Sequence, residues 1–141
     1  MDMMAWNELD IDIENEAMSL QKLHDLSAFI LSTFQPVWYE AKEEVTEEGK
    51  TVWFHGFETM ITGEKWNVDL WFFDRETIDR VEKYCDEIVR RSGPAERAII
   101  TSIKQELIAR GMYSFEQYRS IDVYGAVLED KVKDIREFLA R

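Results

Sequence analysis

The hydrophobic pattern of this 141-residue chain changes its period at Asp74. Before that point, residues 37–45, 51–61 and 65–73 alternate apolar and polar side chains or are rich in aromatic and β-branched ones, which predicts three strands. After it, apolar residues recur every three to four positions, which predicts helices. We therefore expect an α+β fold: a small mixed sheet of about four strands, with helices packed on one face and a C-terminal helical block.

The same change of pattern divides the chain into two regions. Residues 1–75 are predicted to form an α/β core, and residues 76–141 a helical region packed on the same core. Tight turns are expected at Gly49 and at Thr62–Gly63, because glycine accepts the positive φ angles that such turns need.

Helix boundaries are indicated by local signals. Helices are predicted over residues 19–34, 76–91, 95–110, around 121–128, and 131–140. Ser19 is the expected N-cap of the first helix, and Pro36 ends it. Pro94 suits the first position of the third helix. Ser114 to Gln117 matches a capping box, so we expect the fourth helix to follow it.

The net charge limits the classes of partner. The chain carries 29 acidic and 17 basic residues, a formal charge of −12. Such a surface repels phosphate backbones, so we expect no non-specific nucleic acid binding. A nucleotide bound through a divalent cation remains compatible with this charge, because the cation supplies positive charge locally.

No apolar run approaches the roughly 20 residues that cross a bilayer, and the first residues do not resemble a signal peptide. We therefore expect a cytoplasmic protein with no membrane association. Cys85 is the only cysteine, so no intrachain disulfide can form, and its helical spacing predicts a buried structural thiol. His24 and His55 lack the spacing of a zinc site.

The first strand is predicted at Leu9 to Glu14, where apolar and acidic residues alternate. Asp10 and Asp12 then share one strand face, about 6.5 Å apart along the strand, which lets both reach one metal site. The alternative is that these acids only solvate the exposed face of a half-buried strand.

Asp69 lies in the most hydrophobic run of the chain, where a carboxylate loses hydration at a cost of several kcal/mol unless it is paired. If this strand pairs with the first one, Asp69 lies beside Asp10 and Asp12. Two divalent cations about 3.5–4 Å apart would remove the repulsion among the three carboxylates and allow phosphoryl chemistry. The alternative is that Asp69 is exposed or pairs with Lys65.

These acids, in this order, resemble a known family. An Asp-x-Asp strand followed by a helix and a third aspartate on a later strand is similar to the minimal nucleotidyltransferase fold of the DNA polymerase β superfamily. The run Ser120 to Leu128 also resembles a helical segment of small members, which carries a Ser-x-Asp-x-Tyr-x-Ala-Val-Leu pattern. The resemblance covers most of the chain.

The resemblance implies a function and a set of ligands. It implies transfer of a nucleoside monophosphate from an NTP to the hydroxyl of a small-molecule or protein acceptor, with Mg²⁺ or Mn²⁺ as cofactor. It also implies that Asp10 and Asp12 hold both metals. Asp69 would bind the metal that activates the acceptor and would act as general base.

One part of the family pattern is missing. Residues 1–9 contain no Gly-Ser pair of the kind that binds the β,γ-phosphates in the family. The chain is therefore expected to be a fragment or a natural short form, and to be inactive as given. Four basic residues are candidates for substitute phosphate contacts: Lys65, Arg75, Arg97 and Lys104. The alternative for each is that it only solvates the surface.

Two other functions compete with catalysis. One is a non-catalytic interaction protein that keeps the fold and binds a partner, or a second copy as a homodimer, through large apolar side chains of the strands: Trp53, Phe57, Trp66, Trp71 and Phe73. The other is an α/β module that binds a small ligand without a metal.

Overall fold

The α+β class expected from the sequence is confirmed in a computed structural model, which describes residues 3–141. The described residues form four strands, β1 (Glu8–Glu14), β2 (Trp38–Val45), β3 (Thr51–Ile61) and β4 (Glu64–Phe73). They also form five helices, α1 (Leu20–Phe34), α2 (Arg75–Arg91), α3 (Pro94–Ala109), α4 (Ser120–Leu128) and α5 (Ile135–Leu139). Residues 1 and 2 of the predicted core region lie outside the described residues.

The chain forms two compact units. The sheet unit comprises Asn7–Glu82, and the helical unit comprises residues 3–6 together with residues 83–141. The division falls inside α2, a few residues after the boundary expected at residue 75. Residues 3–6 belong with the helices rather than with the strand that follows them.

The sheet is mixed, with the strand order β1-β4-β3-β2. β1 runs parallel to β4, while β3 is antiparallel to both β4 and β2. Both expected turns are present: Gly49 has φ +79°, and the hairpin between β3 and β4 turns at Thr62 and Gly63, with φ 51° and 82°. Two successive residues with positive φ match the right-handed twist of the strands on either side.

The two faces of the sheet differ in chemistry. α1 packs against β2 and β3, where Ile30, Phe57 and Val68 form the buried core of the sheet unit. Side chains alternate between faces along a strand, so Asp69, which follows Val68, lies on the opposite face. The acids of β1 lie on that same face, because Leu9 pairs with Val68 and Asp10 with Asp69.

The boundaries of α1 follow from the predicted signals. The Ser19 hydroxyl accepts a hydrogen bond of 3.2 Å from the Lys22 amide, so Ser19 is the N-cap, as predicted. The helix ends at Gln35, which has the left-handed φ of 45°, and Pro36 follows.

The helical unit has its own apolar core on α3, α4 and α5, and Met3 packs into it. Pro94 begins α3, as predicted, and Gly111 follows that helix with φ +66°. The run Ser120 to Leu128 that resembles the family segment coincides with α4. Its buried residues belong to the core of the helical unit: Val123, Tyr124, Ala126, Val127 and Leu128.

The fourth helix lies where it was expected, but its capping signal and the start of the last helix were predicted wrongly. No helix begins at Ser114, where the chain forms a turn; α4 is capped instead by the Asp122 carboxylate, which accepts a hydrogen bond of 2.7 Å from the Arg119 amide. The last helix begins at Ile135 rather than 131, because the Asp134 side chain accepts hydrogen bonds from the Arg136 and Glu137 amides. A side chain that caps a helix fixes its first turn.

The isolated thiol and the exposed histidine also have defined places. Cys85 lies on α2 and is half-buried rather than fully buried as expected. His24 is exposed on α1.

Within the described residues, no helix is long and apolar enough to cross a membrane.

A buried polar chain links α1 to the sheet. Ser27 donates to the Leu23 carbonyl at 2.8 Å, so its oxygen accepts from the Tyr39 hydroxyl. The Tyr39 oxygen is 2.8 Å from Nδ1 of His55, and this direction of donation makes Nδ1 the protonated ring nitrogen. His55 is fully buried, and burial lowers its pKa. Nε2 of His55 has no hydrogen-bond partner among residues 3–141.

Replacement of Tyr39 tests this polar chain. We expect Tyr39→Phe to lower the free energy of unfolding by about 1–3 kcal/mol, because it leaves the buried Nδ1–H of His55 without an acceptor. Urea denaturation at pH 7.5 measures the change, with Tyr84→Phe, at a more exposed tyrosine of α2, as the control. Equal stability of the two variants would contradict the assigned network.

Candidate functional site

The parallel pairing of β1 with β4 brings two aspartates together. The register places Asp10 directly opposite Asp69, so the strand pairing expected from the sequence is confirmed. Asp12 pairs with Trp71 and lies on the same face as Asp10, one alternation further along β1. All three predicted acids are therefore on one face of the sheet, with Asp12 diagonal to Asp69.

The row across the sheet continues beyond Asp69. Gly56 on β3 is the partner of Asp69, and Glu40 on β2 is the partner of Gly56. We call Asp10, Asp69, Gly56 and Glu40 the acidic row. The sequence did not single out Gly56 or Glu40, because their place in the row depends on the register of two hairpins rather than on any local pattern.

Asp69 is the most perturbed acid of this row. Burial raises its pKa from 3.8 to about 6, with smaller contributions from the negative charges of Glu8 and Glu40, while a hydrogen bond from the Asn67 side chain acts in the opposite direction. Asp69 is half-buried, as expected for a carboxylate within the hydrophobic run of β4. Desolvation of this kind is common at functional carboxylates.

Asp12 is affected in the same direction. Surrounding protein atoms partly desolvate its carboxyl and raise its pKa, although the residue keeps an exposed surface on the edge strand. A carboxylate that is both accessible and poorly solvated gains interaction energy from a cation.

The donor chemistry of the row fits a hard divalent cation, which prefers carboxylate oxygens. Among residues 3–141, no three His, Cys, Asp or Glu side chains are grouped so that they could hold a metal ion. Mg²⁺ is usually bound by one or two carboxylates, with waters and substrate phosphates as its other ligands. Asp10 and Asp69 match such a partial set of ligands.

The four basic residues considered for phosphate contacts have different surroundings. Lys65 is 3.5 Å from Glu58, and Arg75 forms salt bridges with Glu14 at 3.1 Å and Asp79 at 3.0 Å. Both are well exposed and belong to the sheet unit, where salt bridges of this kind are weak and readily exchanged.

The other two basic residues belong to the helical unit. Arg97 donates to the Ser92 carbonyl at 3.1 Å. Lys104 is 2% exposed, and its ammonium donates to the Met3 carbonyl at 3.0 Å, so the surface position expected for it is wrong. The rings of Tyr113 and Tyr124 lie 5.7 and 5.8 Å from that ammonium, a favourable cation–π arrangement.

The aromatic side chains of the strands are less accessible than the interaction hypothesis assumes. Phe57 is buried, and the other four are half-buried: Trp53, Trp66, Trp71 and Phe73. The exposed apolar side chains of the strands include Leu9 and Ile11 on the edge strand β1, which are 46% and 37% exposed, and also Trp38, Val45, Met60 and Ile61.

A charged cluster at the start of α2 has no counterpart in the sequence predictions. The Asp74 carboxylate accepts a hydrogen bond of 2.8 Å from the Thr77 amide, and Lys50 lies 2.9 Å from it. These hydrogen bonds lower the pKa of Asp74, with Thr77 as the larger cause. Asp74 therefore caps α2 rather than joining the acidic row.

Comparisons with family models, with curated proteins and with solved structures find no match for this chain.

The raised pKa of Asp69 makes stability depend on pH. The folded state holds this proton more tightly than the unfolded state, so the contribution of Asp69 to stability is largest below pH 4 and is lost as the pH rises through about 6. We expect Asp69→Asn to unfold at higher temperature than the wild type at pH 8, and to lose this advantage by pH 4.

The size of the effect is limited by the exposure of Asp69. Two pKa units correspond to about 3 kcal/mol, and partial exposure reduces the expected gain at pH 8 to about 1–2 kcal/mol. Thermal unfolding from pH 4 to 8 measures the difference, and the contribution of His55 cancels because both proteins contain it. Asp86→Asn, at an exposed position of α2, is the control. An advantage of Asp69→Asn that does not vary with pH would contradict the assignment.

Proposed function

We propose that this chain is a nucleotidyltransferase-like protein that keeps the metal site of such enzymes, which transfer a nucleoside monophosphate from an NTP to an acceptor hydroxyl with Mg²⁺ or Mn²⁺ as cofactor, and that without the Gly-Ser motif its own turnover is weak or absent. The observation that supports it most is the parallel pairing of β1 and β4, which puts Asp10 opposite Asp69 with Asp12 on the same face. A strand pair that holds like charges together is costly in itself, and a cation bound between them removes that cost.

The three acids share one task in this proposal. Asp10 and Asp12 would bind the cation from β1 and Asp69 from β4. Because no three such side chains among residues 3–141 are grouped closely enough to hold an ion as they stand, the carboxylates would have to close around it on binding. When bound, the cation supplies the positive charge that offsets the negative charge of the transferring phosphate and the leaving pyrophosphate.

Asp69 also suits the proton transfer. A carboxyl with a pKa of about 6 is mostly ionised at pH 7, yet it is a stronger base than an ordinary aspartate. It accepts the proton of the acceptor hydroxyl while the hydroxyl oxygen bonds to the α-phosphorus and the bond to pyrophosphate breaks. The hydrogen bond from the Asn67 side chain favours the ionised form.

A phosphate contact in the sheet unit is proposed for Lys65 or for Arg75 as alternatives, because Lys65 lies near the start of β4 and Arg75 beyond its end, too far apart for one triphosphate to reach both. Either side chain must first leave its acidic partner, which for an exposed salt bridge costs about 0–1 kcal/mol. A triphosphate offers each of them a stronger charge-assisted contact than a single surface carboxylate.

Binding of Mn²⁺ tests the proposal without requiring turnover. We expect the wild type to bind Mn²⁺ at millimolar concentration or below, more tightly with an NTP present, and Asp10→Asn, Asp12→Asn and Asp69→Asn each to weaken binding about tenfold or more. Electron paramagnetic resonance of free Mn²⁺ measures the affinity with each of ATP, CTP, GTP and UTP, with Asp86→Asn as the control.

Two results of this titration would contradict the proposal. One is that the wild type binds no Mn²⁺ at millimolar concentration, with or without nucleotide. The other is binding that survives all three substitutions unchanged.

A second function, non-catalytic association with a second copy of the chain, has one observation in its favour. Leu9 and Ile11 are exposed on the same face of the edge strand β1. Exposed apolar edge strands favour pairing with another chain. If the chain forms a homodimer, sedimentation velocity should show a dimer at micromolar concentration. The double substitution Leu9→Asp and Ile11→Asp should convert this dimer to a monomer. A wild type that stays monomeric up to about 1 mM would contradict it.

A further inference from the structure

Gly56 is a buried glycine in the middle of β3, where glycine normally weakens a strand. The backbone conformation of Gly56 does not require glycine, because its φ angle is not positive. Glycine is required because the surrounding atoms leave no space for a side chain. A Cβ atom at this position would lie 2.6 Å from Cζ and 2.9 Å from Cε1 of Phe54, and 3.0 Å from Oδ1 of Asp69.

The Phe54 ring is the side chain that uses this space. Phe54 lies two residues before Gly56 on the same strand face, and it is 2% exposed. Its ring extends over Gly56, as aromatic rings do over glycines in sheets. The ring is also fixed from the other side, because the Trp71 ring centroid is 4.5 Å away and Trp71 in turn stacks on Phe73 at 5.6 Å.

The edge of the Phe54 ring and the Asp69 carboxylate therefore both lie close to the position that a Cβ atom of residue 56 would occupy. Oδ1 of Asp69 would lie 3.0 Å from a Cβ of residue 56, and the Phe54 ring occupies the space on the same side of the sheet. The neighbour of Asp69 on the other side is Asp10 of β1.

We propose that Gly56 and Phe54 are positioning residues for Asp69: the missing side chain of Gly56 admits the Phe54 ring, and the ring holds the Asp69 carboxylate in a single orientation within the acidic row. The use of this orientation in metal binding rests on the proposed function, whereas the orientation itself does not. Residues that orient metal ligands typically affect metal affinity by 10- to 100-fold.

The orientation is measured first in the metal-free protein. Three-bond couplings from the backbone nitrogen and carbonyl carbon of Asp69 to its Cγ report whether the side chain occupies one rotamer or several. We expect one rotamer in the wild type. Gly56→Ala displaces the ring, and Phe54→Leu removes its edge, so both variants should give couplings averaged over several rotamers.

Gly125→Ala is the matched control, because a Cβ at Gly125 of α4 would meet nothing within 4 Å. It should leave the Asp69 couplings unchanged. If Gly56→Ala does not fold, Phe54→Leu decides the matter, since leucine keeps an apolar side chain at a buried strand position. Averaged couplings in the wild type, or single-rotamer couplings in a folded Phe54→Leu, would overturn the proposal.

Metal affinity is the second measurement, on the same variants. We expect Gly56→Ala and Phe54→Leu to weaken Mn²⁺ binding at least tenfold, with Gly125→Ala equal to the wild type. Unchanged affinity in both variants would overturn the positioning role while leaving the proposed function intact. A wild type that binds no Mn²⁺ would contradict the proposed function, while one rotamer in the wild type with averaged couplings in both variants would still support the orientation by Phe54.

Discussion

The parallel pairing of β1 with β4 is the interaction on which the rest of the sheet unit depends. It places Asp10 opposite Asp69, so that two acidic residues face each other across the strand pair. On the other face Leu9 pairs with Val68, which belongs to the buried core of the sheet unit. A slip by one residue would turn every acid of β1 toward the face that carries Val68.

The acidic row is shaped by apolar packing as much as by charge. Asp69 follows the buried Val68, so its position in the sheet is set by a core residue. Because Gly56 has no side chain, the Phe54 ring and Oδ1 of Asp69 both lie within about 3 Å of the place that a Cβ of residue 56 would take. Desolvation by such neighbours is the main cause of the raised pKa of Asp69, ahead of the nearby negative charges. The basicity proposed for Asp69 is therefore a property of the fold around it.

The sequence predicted what depends on local patterns. The strands, both turns, the Ser19 cap and the face shared by Asp10 and Asp12 follow from periodicity and turn chemistry, and they are confirmed. The capping box at Ser114 was wrong, because a four-residue pattern cannot show that Asp122 caps the helix instead. The burial of Lys104 and the space above Gly56 depend on contacts between distant segments, so no local signal indicated them. The metal and the transfer reaction stay predictions.

The most direct test of the central claim is anomalous diffraction from crystals of the protein soaked in Mn²⁺. We expect an anomalous peak between β1 and β4, within coordination distance of carboxylate oxygens from both Asp10 and Asp69. A peak bound only elsewhere on the surface, or a fully ordered acidic row without any peak at millimolar Mn²⁺, would contradict it.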